Sequence, residues 1–251
     1  MCRSLVYCSL AAPFLLATSA MAQTLNGSIG ASVIQAPDYL GSDDDEARVL
    51  PDLNLRYGDQ LYLNLRDGLG WNLYRQRNWT LSPFLGYQPG RDNTGDLSRF
   101  DEVDDSLTGG LRLSYQPAPW NLSLQAETPL SGDVDGYKLT LRAGWRGQPA
   151  PNWSAGIGPS LVYSSKAWTQ SLFRVSARDA ARSGFSRYEP TDGYWRLGLS
   201  GNLNYRFAAR WSVTGLAGIT QLTGDARDSP IVKNAGDATQ SLAGMVLSYH
   251  F

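Results

Sequence analysis

The chain has few residues of the kinds that cross-link proteins or bind metals. Its 251 residues include two cysteines, Cys2 and Cys8, and one histidine, His250. Both cysteines fall in an apolar N-terminal segment, so disulfides are not expected to stabilise the domain that follows. The sequence shows no zinc-type Cys/His spacing, no phosphate-binding glycine loop and no dinucleotide fingerprint, so we expect no cofactor. The 22 basic and 23 acidic residues nearly balance, which gives no indication of nucleic-acid binding.

Long apolar runs are also scarce. The chain starts with a basic residue at Arg3, continues with an apolar stretch over residues 5–17, and then has the small-residue triplet Ala20-Met21-Ala22. This pattern predicts a secretory signal peptide over residues 1–22 and an exported domain over residues 23–251. Beyond it, no stretch of about 18 apolar residues could form a membrane helix. If this domain spans a membrane it must be a closed β-barrel, because only helices and closed barrels satisfy their backbone hydrogen bonds in lipid.

The sequence does have strands that alternate and end in aromatic residues. Near the end of the chain, Leu247, Tyr249 and Phe251 share one face of a strand. A second alternating segment has Trp195 and Phe207 at the two ends of its apolar face. A soluble β-sandwich would also alternate, but it would seldom place basic residues in mid-strand with aromatic residues bounding the apolar side. The pattern therefore favours an outer-membrane barrel.

Counting the alternating segments gives the number of strands. Connections between them are alternately short and long, as the periplasmic turns and extracellular loops of outer-membrane barrels are. The sequence thus predicts an all-β, transmembrane antiparallel β-barrel of about 12 strands, with both termini in the periplasm. If the two segments around Asp67-Gly68 form a single strand, the alternative is 10. The predicted strands are residues 25–34, 48–56, 60–66, 69–75, 79–88, 107–116, 120–130, 136–146, 152–163, 193–207, 210–222 and 239–251.

Two of the long loops have local patterns of their own. In one, Ser176 could cap a short helix that Gly184 ends, or the segment could be an irregular surface loop. In the other, the acidic run of residues 43–46 either bridges divalent ions or lipopolysaccharide, or is simply solvated.

The polar faces of the strands predict a basic lumen. Opposite them, the acidic residues predicted to face inward are Asp52 and Glu127. A basic interior either favours anions along a narrow path, or consists of long arginines that fill the lumen and pair with inward-folded carboxylates such as those of Asp225 and Asp228. We expect a mostly occluded lumen. The basic residues assigned to it are Arg56, Arg66, Arg112, Lys138, Arg142, Arg196 and Arg206.

Catalytic chemistry has little support. A hydrolase barrel commonly needs a histidine as general base, and His250 has no local serine or aspartate motif. We interpret it as a polar residue that faces the barrel interior. Asp225, Arg227 and Asp228 could form a carboxylate site, but such residues in a tight loop more often hold that loop's shape. We therefore expect no enzyme activity.

Five segments together resemble the MipA/OmpV family of MltA-interacting outer-membrane proteins. The most specific is residues 222–232, with the pattern Gly-Asp-Ala-x-Asp-Ser-Pro-Ile-Val. One departure is Phe185, where leucine is commoner. The other similar segments are residues 37–42, Gly90-Arg91, Ser183-Gly184-Phe185 with Tyr188, and the Tyr249…Phe251 ending.

The resemblance implies an outer-membrane barrel in contact with lipid and lipopolysaccharide. It also implies a scaffold that links a lytic murein transglycosylase to a peptidoglycan synthase, while other members are described as surface proteins with adhesion or stress-related roles. Within the matching segments, Tyr39, Arg91, Asp225, Arg227 and Asp228 are candidates for loop shaping or recognition. Partners in the periplasm would have to bind the short turns.

Overall fold

The computed structural model describes residues 24–93 and 95–251, so the predicted signal peptide over residues 1–22 lies outside the described residues. The chain forms one antiparallel sheet in which each strand pairs with its sequence neighbour except β4 and β5, β1 pairs with β13, and a β4–β6 pairing closes the barrel. The strands are β1 (Leu25–Pro37), β2 (Asp45–Tyr57), β3 (Leu61–Asn64), β4 (Gly68–Trp71), β5 (Tyr74–Gln76), β6 (Trp79–Gln88), β7 (Ser106–Tyr115), β8 (Trp120–Pro129), β9 (Lys138–Gly147), β10 (Trp153–Ser164), β11 (Tyr194–Ala208), β12 (Trp211–Leu222) and β13 (Thr239–His250).

β4 and β5 are two halves of one interrupted strand, since both pair with β6. The register shifts by one residue between the Gly70–Phe84 pair and the Tyr74–Leu81 pair, which is a β-bulge. Pro83 lies opposite the bulge and has no N–H to donate to a continuous ladder. The barrel thus has twelve strands, which confirms the predicted count rather than the alternative of ten.

The outward face of the barrel is apolar along its whole circumference. On β9, Leu139 and Leu141 are exposed, whereas Thr140 between them is buried. Exposed aromatic residues mark the two ends of the apolar band, as with Trp195 and Phe207 on β11. This is the surface that a bilayer covers, with aromatic side chains at the level of its head groups. Among the helices of the described residues, none has the length and apolar character needed to cross a membrane.

The wall of the barrel is uneven in height. β2 has 13 residues and is paired with β1 along its whole length, but its ladder with β3 runs only from Asn54 to Tyr57. The loop from Leu65 to Asp67 ends β3 early, because the Asn64 Oδ1 accepts a hydrogen bond of 2.7 Å from the N–H of Asp67. Above this short hairpin, the described residues provide β2 with no second neighbour.

Short helices fold over the long-loop end of the barrel. Ser176 caps α2 through a reciprocal capping box with Asp179, and Gly184 ends the helix in a left-handed conformation with φ of 81°. This confirms the predicted helix. We call the segments of residues 38–44, 89–105, 130–137, 165–193 and 223–238 together the cap. The helices are α1 (Lys166–Phe173), α2 (Ala177–Ser183), α3 (Gly224–Asp228) and α4 (Pro230–Asn234), with a 3-10 turn at Gly95–Leu97.

Candidate functional site

The cap has a hydrophobic core of its own, built on α1. Ser165 caps this helix, and Trp168 and Leu172, one helical turn apart, both point into the core. The Phe173 ring packs edge-on against Tyr194 at 5.4 Å. The buried apolar residues are Val103, Val134, Trp168, Leu172, Phe173, Tyr194, Leu222, Ala226 and Val232, with a second group of Leu97, Phe100, Val175 and Ile231.

One of the contacts that join the cap to the barrel is between Trp168 and Lys138. The Lys138 Nζ lies 4.6 Å from the centre of the Trp168 ring, which is a cation–π geometry. The same amine is 2.9 Å from the Glu127 carboxylate and 2.8 Å from the Gln88 side-chain oxygen. A packed apolar core therefore covers the polar top of the lumen.

Four of the five segments that carry the family resemblance meet inside the cap. Tyr39 donates a hydrogen bond of 2.6 Å to the carbonyl of Ala235, which joins the first loop to the last. Gly41 lies so close to Val232 that a Cβ there would approach a valine methyl carbon to 2.8 Å, and its φ is +101°. A side chain at residue 41 would push these two loops apart.

Arg91 ties the second of these segments to α1. Its guanidinium is buried, donates hydrogen bonds to the carbonyls of Leu172 and Asp101, and lies 5.6 Å from the centre of the Phe100 ring. The Arg91 Nε has no hydrogen-bond partner among the described residues. The pKa of this guanidinium lies below its ordinary value, mainly because of its burial. Phe100 in turn packs edge-on against Phe185 at 5.3 Å.

Asp179 organises the contact between α2 and the 89–105 loop. Its carboxylate accepts hydrogen bonds from the N–H and hydroxyl of Ser176 and one of 3.0 Å from the N–H of Asp101, and it lies 2.8 Å from Arg182. Burial alone would raise the pKa of this carboxyl, but the hydrogen bonds from Ser176, Asp101 and Arg182 outweigh it and hold the pKa below its ordinary value. The sequence reasoning did not single out Asp179, although Ser-x-x-Asp is a capping-box pattern.

Asp225 holds the junction between α3 and the end of the long 165–193 loop. Its carboxylate accepts hydrogen bonds from the N–H groups of Thr191 and Asp192, and its carbonyl accepts one of 3.0 Å from the Tyr188 hydroxyl. Desolvation by burial and the nearby carboxylates of Asp225 and Asp228 raise the pKa of Tyr188 to about 12. These contacts are those of a residue that shapes a loop.

Arg227 and Asp228 lie at the surface of the cap. The Arg227 Nε is 3.5 Å from the Asp228 carboxylate, which is also 3.1 Å from the Lys233 amine. Tyr39, by contrast, is half-buried, and burial raises its pKa to about 12. The five candidate residues of the loops thus belong to one structure, three of them inside it and two on its outer face.

Beneath the cap lies a polar cavity of about 970 Å³ inside the barrel. Arg56, Arg66, Arg112 and Arg142, four of the seven basic residues assigned to the lumen, line it. The other three lie outside this cavity. Lys138 contacts the cap, Arg196 pairs in register with Leu222 at the top of β12, and Arg206 pairs with Ser212 near the short turns.

The carboxylate that reaches the lumen arginines is Asp67, from the short loop between β3 and β4. It lies 3.0 Å from Arg112 and 4.0 Å from Arg142. This differs from the expected pairing with Asp225 and Asp228, whose carboxylates bond within the cap. From the sequence, Asp67 is predicted only as a turn residue, and its inward position depends on how short the β3–β4 hairpin is.

Charge is strongly separated along the barrel axis. Of the 23 acidic residues, all but Asp52, Asp59, Asp67 and Glu127 lie in the cap or on the adjoining strand ends. Half of the 22 basic residues lie along the lumen or at the short-turn end, so the balanced total conceals an acidic top and a basic interior and base. These basic residues are Arg56, Arg66, Arg75, Arg77, Arg112, Lys138, Arg142, Arg146, Arg196, Arg206 and Arg210.

His250 faces the barrel interior at the short-turn end. Its Nε2 lies 2.8 Å from the Ser212 hydroxyl, a contact that the β12–β13 register creates and that no local sequence motif reveals. Ser212 is only 1% exposed. Among residues 24–93 and 95–251, no three His, Cys, Asp or Glu side chains are grouped to hold a metal ion. In the acidic run, Glu46 pairs with Arg48 at 2.8 Å.

Comparison with known proteins identifies a family and, among solved structures, several outer-membrane channels with weak similarity. A family model described as MltA-interacting protein MipA matches residues 29–251. The MltA-interacting proteins of Escherichia coli K12 and Shigella flexneri are each 36% identical over 77 residues, which is 31% of this chain and 30% of theirs.

Among solved structures, the outer-membrane channel DcaP of Acinetobacter baumannii matches with a TM-score of 0.41 and 10% identity, covering 91% of this chain and 96% of that one. An outer-membrane channel from Pseudomonas putida F1 also gives a TM-score of 0.41, with 13% identity over 92% and 97% of the two chains.

Proposed function

The chain belongs to the MltA-interacting protein MipA family of outer-membrane β-barrels, and from that premise we propose that it is a scaffold of the cell envelope. Its short-turn end lies in the periplasm and binds a lytic murein transglycosylase and a peptidoglycan synthase. Its cap faces outward, in contact with lipopolysaccharide. Residues 1–22 direct export and are removed. The barrel itself carries out no catalysis.

The observation that carries this proposal is the closed upper end of the barrel. Trp168 is 1% exposed, and its contact with Lys138 joins the apolar core of the cap to the barrel wall. An open porin needs a water-filled path between its loops, and here that position holds a core packed like the interior of a soluble protein. A barrel closed in this way supports a binding role better than bulk transport.

The periplasmic end offers partners a basic surface. The turns are short, but Arg75, Arg77, Arg146, Arg206 and Arg210 all lie at this end. Asp59 pairs with Arg75 at 3.1 Å. Charge complementarity of this kind speeds the association of two proteins and selects the partner. The surface therefore fits a partner with an acidic docking face.

Charge reversal of this surface tests the scaffold. In an Arg77→Glu/Arg210→Glu variant, we expect a transglycosylase to be lost from crosslinked, affinity-purified complexes, while the barrel still assembles. The matched control reverses two exposed cap residues, Arg178→Glu/Arg227→Glu, and should leave capture unchanged. If both variants still captured the transglycosylase, the proposal would be contradicted. It would also be contradicted if both variants lost it.

A second candidate function is a narrow anion-preferring path, which the basic lining of the cavity supports. Asp67 neutralises part of that lining through Arg112 and Arg142. In planar bilayers we expect a small conductance that favours anions. Asp67→Asn should increase the anion preference by less than about tenfold, because it removes a single charge from the path. A large, steady, cation-selective conductance would exclude this candidate.

A further inference from the structure

The barrel wall has a gap that lies at the level of the membrane. β3 and β4 have four residues each, which at about 3.3 Å per residue extends roughly 13 Å along the strand. Crossing a bilayer takes about nine to eleven residues. On the β2 side, the hairpin starts just after the periplasmic turn and its ladder ends at Asn54, whereas on the β6 side β4 and β5 together follow β6 from Trp79 to Leu85. The gap is therefore widest along β2, whose outer part has no partner on this side among the described residues, and narrows toward the upper end of β6.

The edge of β2 borders this gap. From Asp45 to Leu53 this strand pairs with β1 on one side, and its ladder with β3 starts only at Asn54. On the far side, β6 continues from Gly86 to Gln88 with β7 as its neighbour in the described part of the sheet. Val49, on the outward face of β2, is 75% exposed, which fits a segment without a second neighbour.

The cavity behind the gap has two chemically different walls. Alternation along β1, β2, β12 and β13 turns five apolar side chains inward, which is unusual for a barrel whose interior is otherwise polar. Leu50 is one of them, and it lies on the part of β2 that pairs with β1 but not with β3. The apolar wall consists of Ile34, Leu50, Leu216, Leu242 and Val246.

The other wall is cationic, with more positive charge than nearby carboxylates neutralise. Arg66, Arg112 and Arg142 line it, and Asp67 is the carboxylate of the lining that lies within 4.0 Å of two of them. Asp67 lies 3.0 Å from Arg112 but 4.0 Å from Arg142, and Arg66 lies within electrostatic reach of Arg142. Arg112 also has a neutral partner in Gln125. Among the described residues, Arg66 has no carboxylate within ion-pair distance, so a bound anion would relieve the repulsion between these guanidiniums.

We propose that the lumen binds a single-chain anionic amphiphile of the fatty-acid class, which enters from the outer leaflet through the gap between β2 and β6. The alkyl chain lies along the apolar wall defined above, and the carboxylate binds Arg66 and Arg142. A cavity of about 970 Å³ is large enough for such a molecule. The proposal is independent of the scaffold role, since it concerns the lumen and not the periplasmic turns.

Photo-crosslinking tests this binding directly. The wild-type protein is reconstituted in phospholipid vesicles with palmitic acid that carries a diazirine at the end of its chain, and the adducts are located by mass spectrometry. We expect adducts at the inward residues Leu50 and Leu242. Adducts confined to outward residues of the same strands, Val49 and Met245, would show only the surrounding lipid and would overturn the proposal.

Head-group recognition is tested with variants and an uncharged analogue. In Arg66→Gln/Arg142→Gln, lumen adducts should fall about tenfold, because hydrogen bonds to charged groups are lost. Arg75→Gln, in the cavity but paired with Asp59, is the matched control and should leave them unchanged. Equal labelling by the corresponding long-chain alcohol would overturn the role of the arginines. Heat-modifiable mobility on gels verifies that each barrel is folded.

A diazirine-labelled phospholipid tests whether the gap is open to the bilayer. A phospholipid with the diazirine at the end of one acyl chain cannot enter the lumen with its head group. Its chain reaches Leu50 only if the gap opens to the bilayer, and we expect labelling there. Labelling of Leu50 by palmitic acid but not by the phospholipid would overturn the lateral route.

Discussion

The cap and the barrel beneath it bury opposite kinds of side chain. In the cap, Trp168 and Phe173 are buried among apolar neighbours. On β9, a short distance below, Leu139 and Leu141 are exposed on the outside while Thr140 is buried on the inside. The cap therefore buries apolar side chains and the barrel buries polar ones. The change occurs where the strands leave the apolar band.

The difference follows from the solvent that each region meets. Lipid covers the outside of the strands, so burying leucine inside them would gain little, and the backbone ladder holds the wall together. The cap meets water on its outer face and must bury apolar surface to remain ordered. It behaves like a small soluble domain made of loops that are far apart in the sequence. Lys138 is one of the residues at which the two regions meet, through Glu127 and Trp168.

Removal of the largest side chain of the cap core should separate the two regions. Trp168→Ala leaves a large cavity and should destabilise the cap by about 3–5 kcal/mol. We expect faster hydrogen exchange over residues 165–193 and a higher conductance in planar bilayers, with unchanged heat-modifiable mobility of the barrel.

The control makes the same change in the other region. Trp120, on the outer surface of the barrel at the short-turn end, is 57% exposed. Trp120→Ala should leave exchange in the cap and the conductance as in the wild type. Loss of the folded barrel in Trp168→Ala would show that cap and barrel unfold as one cooperative unit. It would contradict their description as two separate regions.

Arg91 provides the next largest effect. Arg91→Met keeps most of the side-chain volume but removes the donors to the carbonyls of Leu172 and Asp101, which should cost the cap about 2–3 kcal/mol. Hydrogen exchange near Leu172 measures it. Arg99→Met, at an exposed position on the same loop, should change exchange little. Unchanged exchange in Arg91→Met would mean that the buried charge does not stabilise the cap.

The sequence predicts the barrel far better than the cap. Alternation depends only on neighbours two residues apart, so the strands and their polar faces follow from local pattern. The helix from Ser176 to Gly184 follows for the same reason, since its caps are local. The interruption at Asn72 escaped prediction because it depends on Pro83, on the next strand.

Contacts inside the cap could not be predicted, since they join residues distant in the sequence. Tyr39 and Ala235 are 196 positions apart, and Arg91 and Leu172 are 81 apart. A weaker local signal did exist, because Trp168 and Leu172 are four residues apart behind a serine cap. The inward position of Asp67 depends on hairpin height, which no periodicity encodes.

A smaller effect comes from Ser229, whose hydroxyl caps α4 and donates a hydrogen bond of 2.7 Å to the carbonyl of Phe173. Ser229→Ala should destabilise the cap by about 1 kcal/mol, the usual effect of losing a cap of this kind. Hydrogen exchange over residues 223–238 measures the change. Ser98→Ala, at an exposed cap residue, is the matched control. An effect as large as that of Trp168→Ala would show that polar contacts hold the cap together more than its core does.

The smallest effect near neutral pH is expected from Tyr39, a half-buried tyrosine of the cap. This effect should be confined to the cap. Burial raises the pKa of Tyr39 from 10.0 to about 12. A raised pKa means that the folded cap favours the neutral phenol. Its contribution is therefore fully present below pH 10 and is lost as pH rises toward 12. Exchange over residues 223–238 should accelerate across this range in the wild type.

Tyr39→Phe, which has no phenol to ionise, should be slightly less stable near neutral pH, but its exchange rate should rise less steeply with pH. If both proteins respond to pH equally, other groups control the alkaline opening of the cap. If the barrel unfolds over the same range, the cap is not the more sensitive of the two regions.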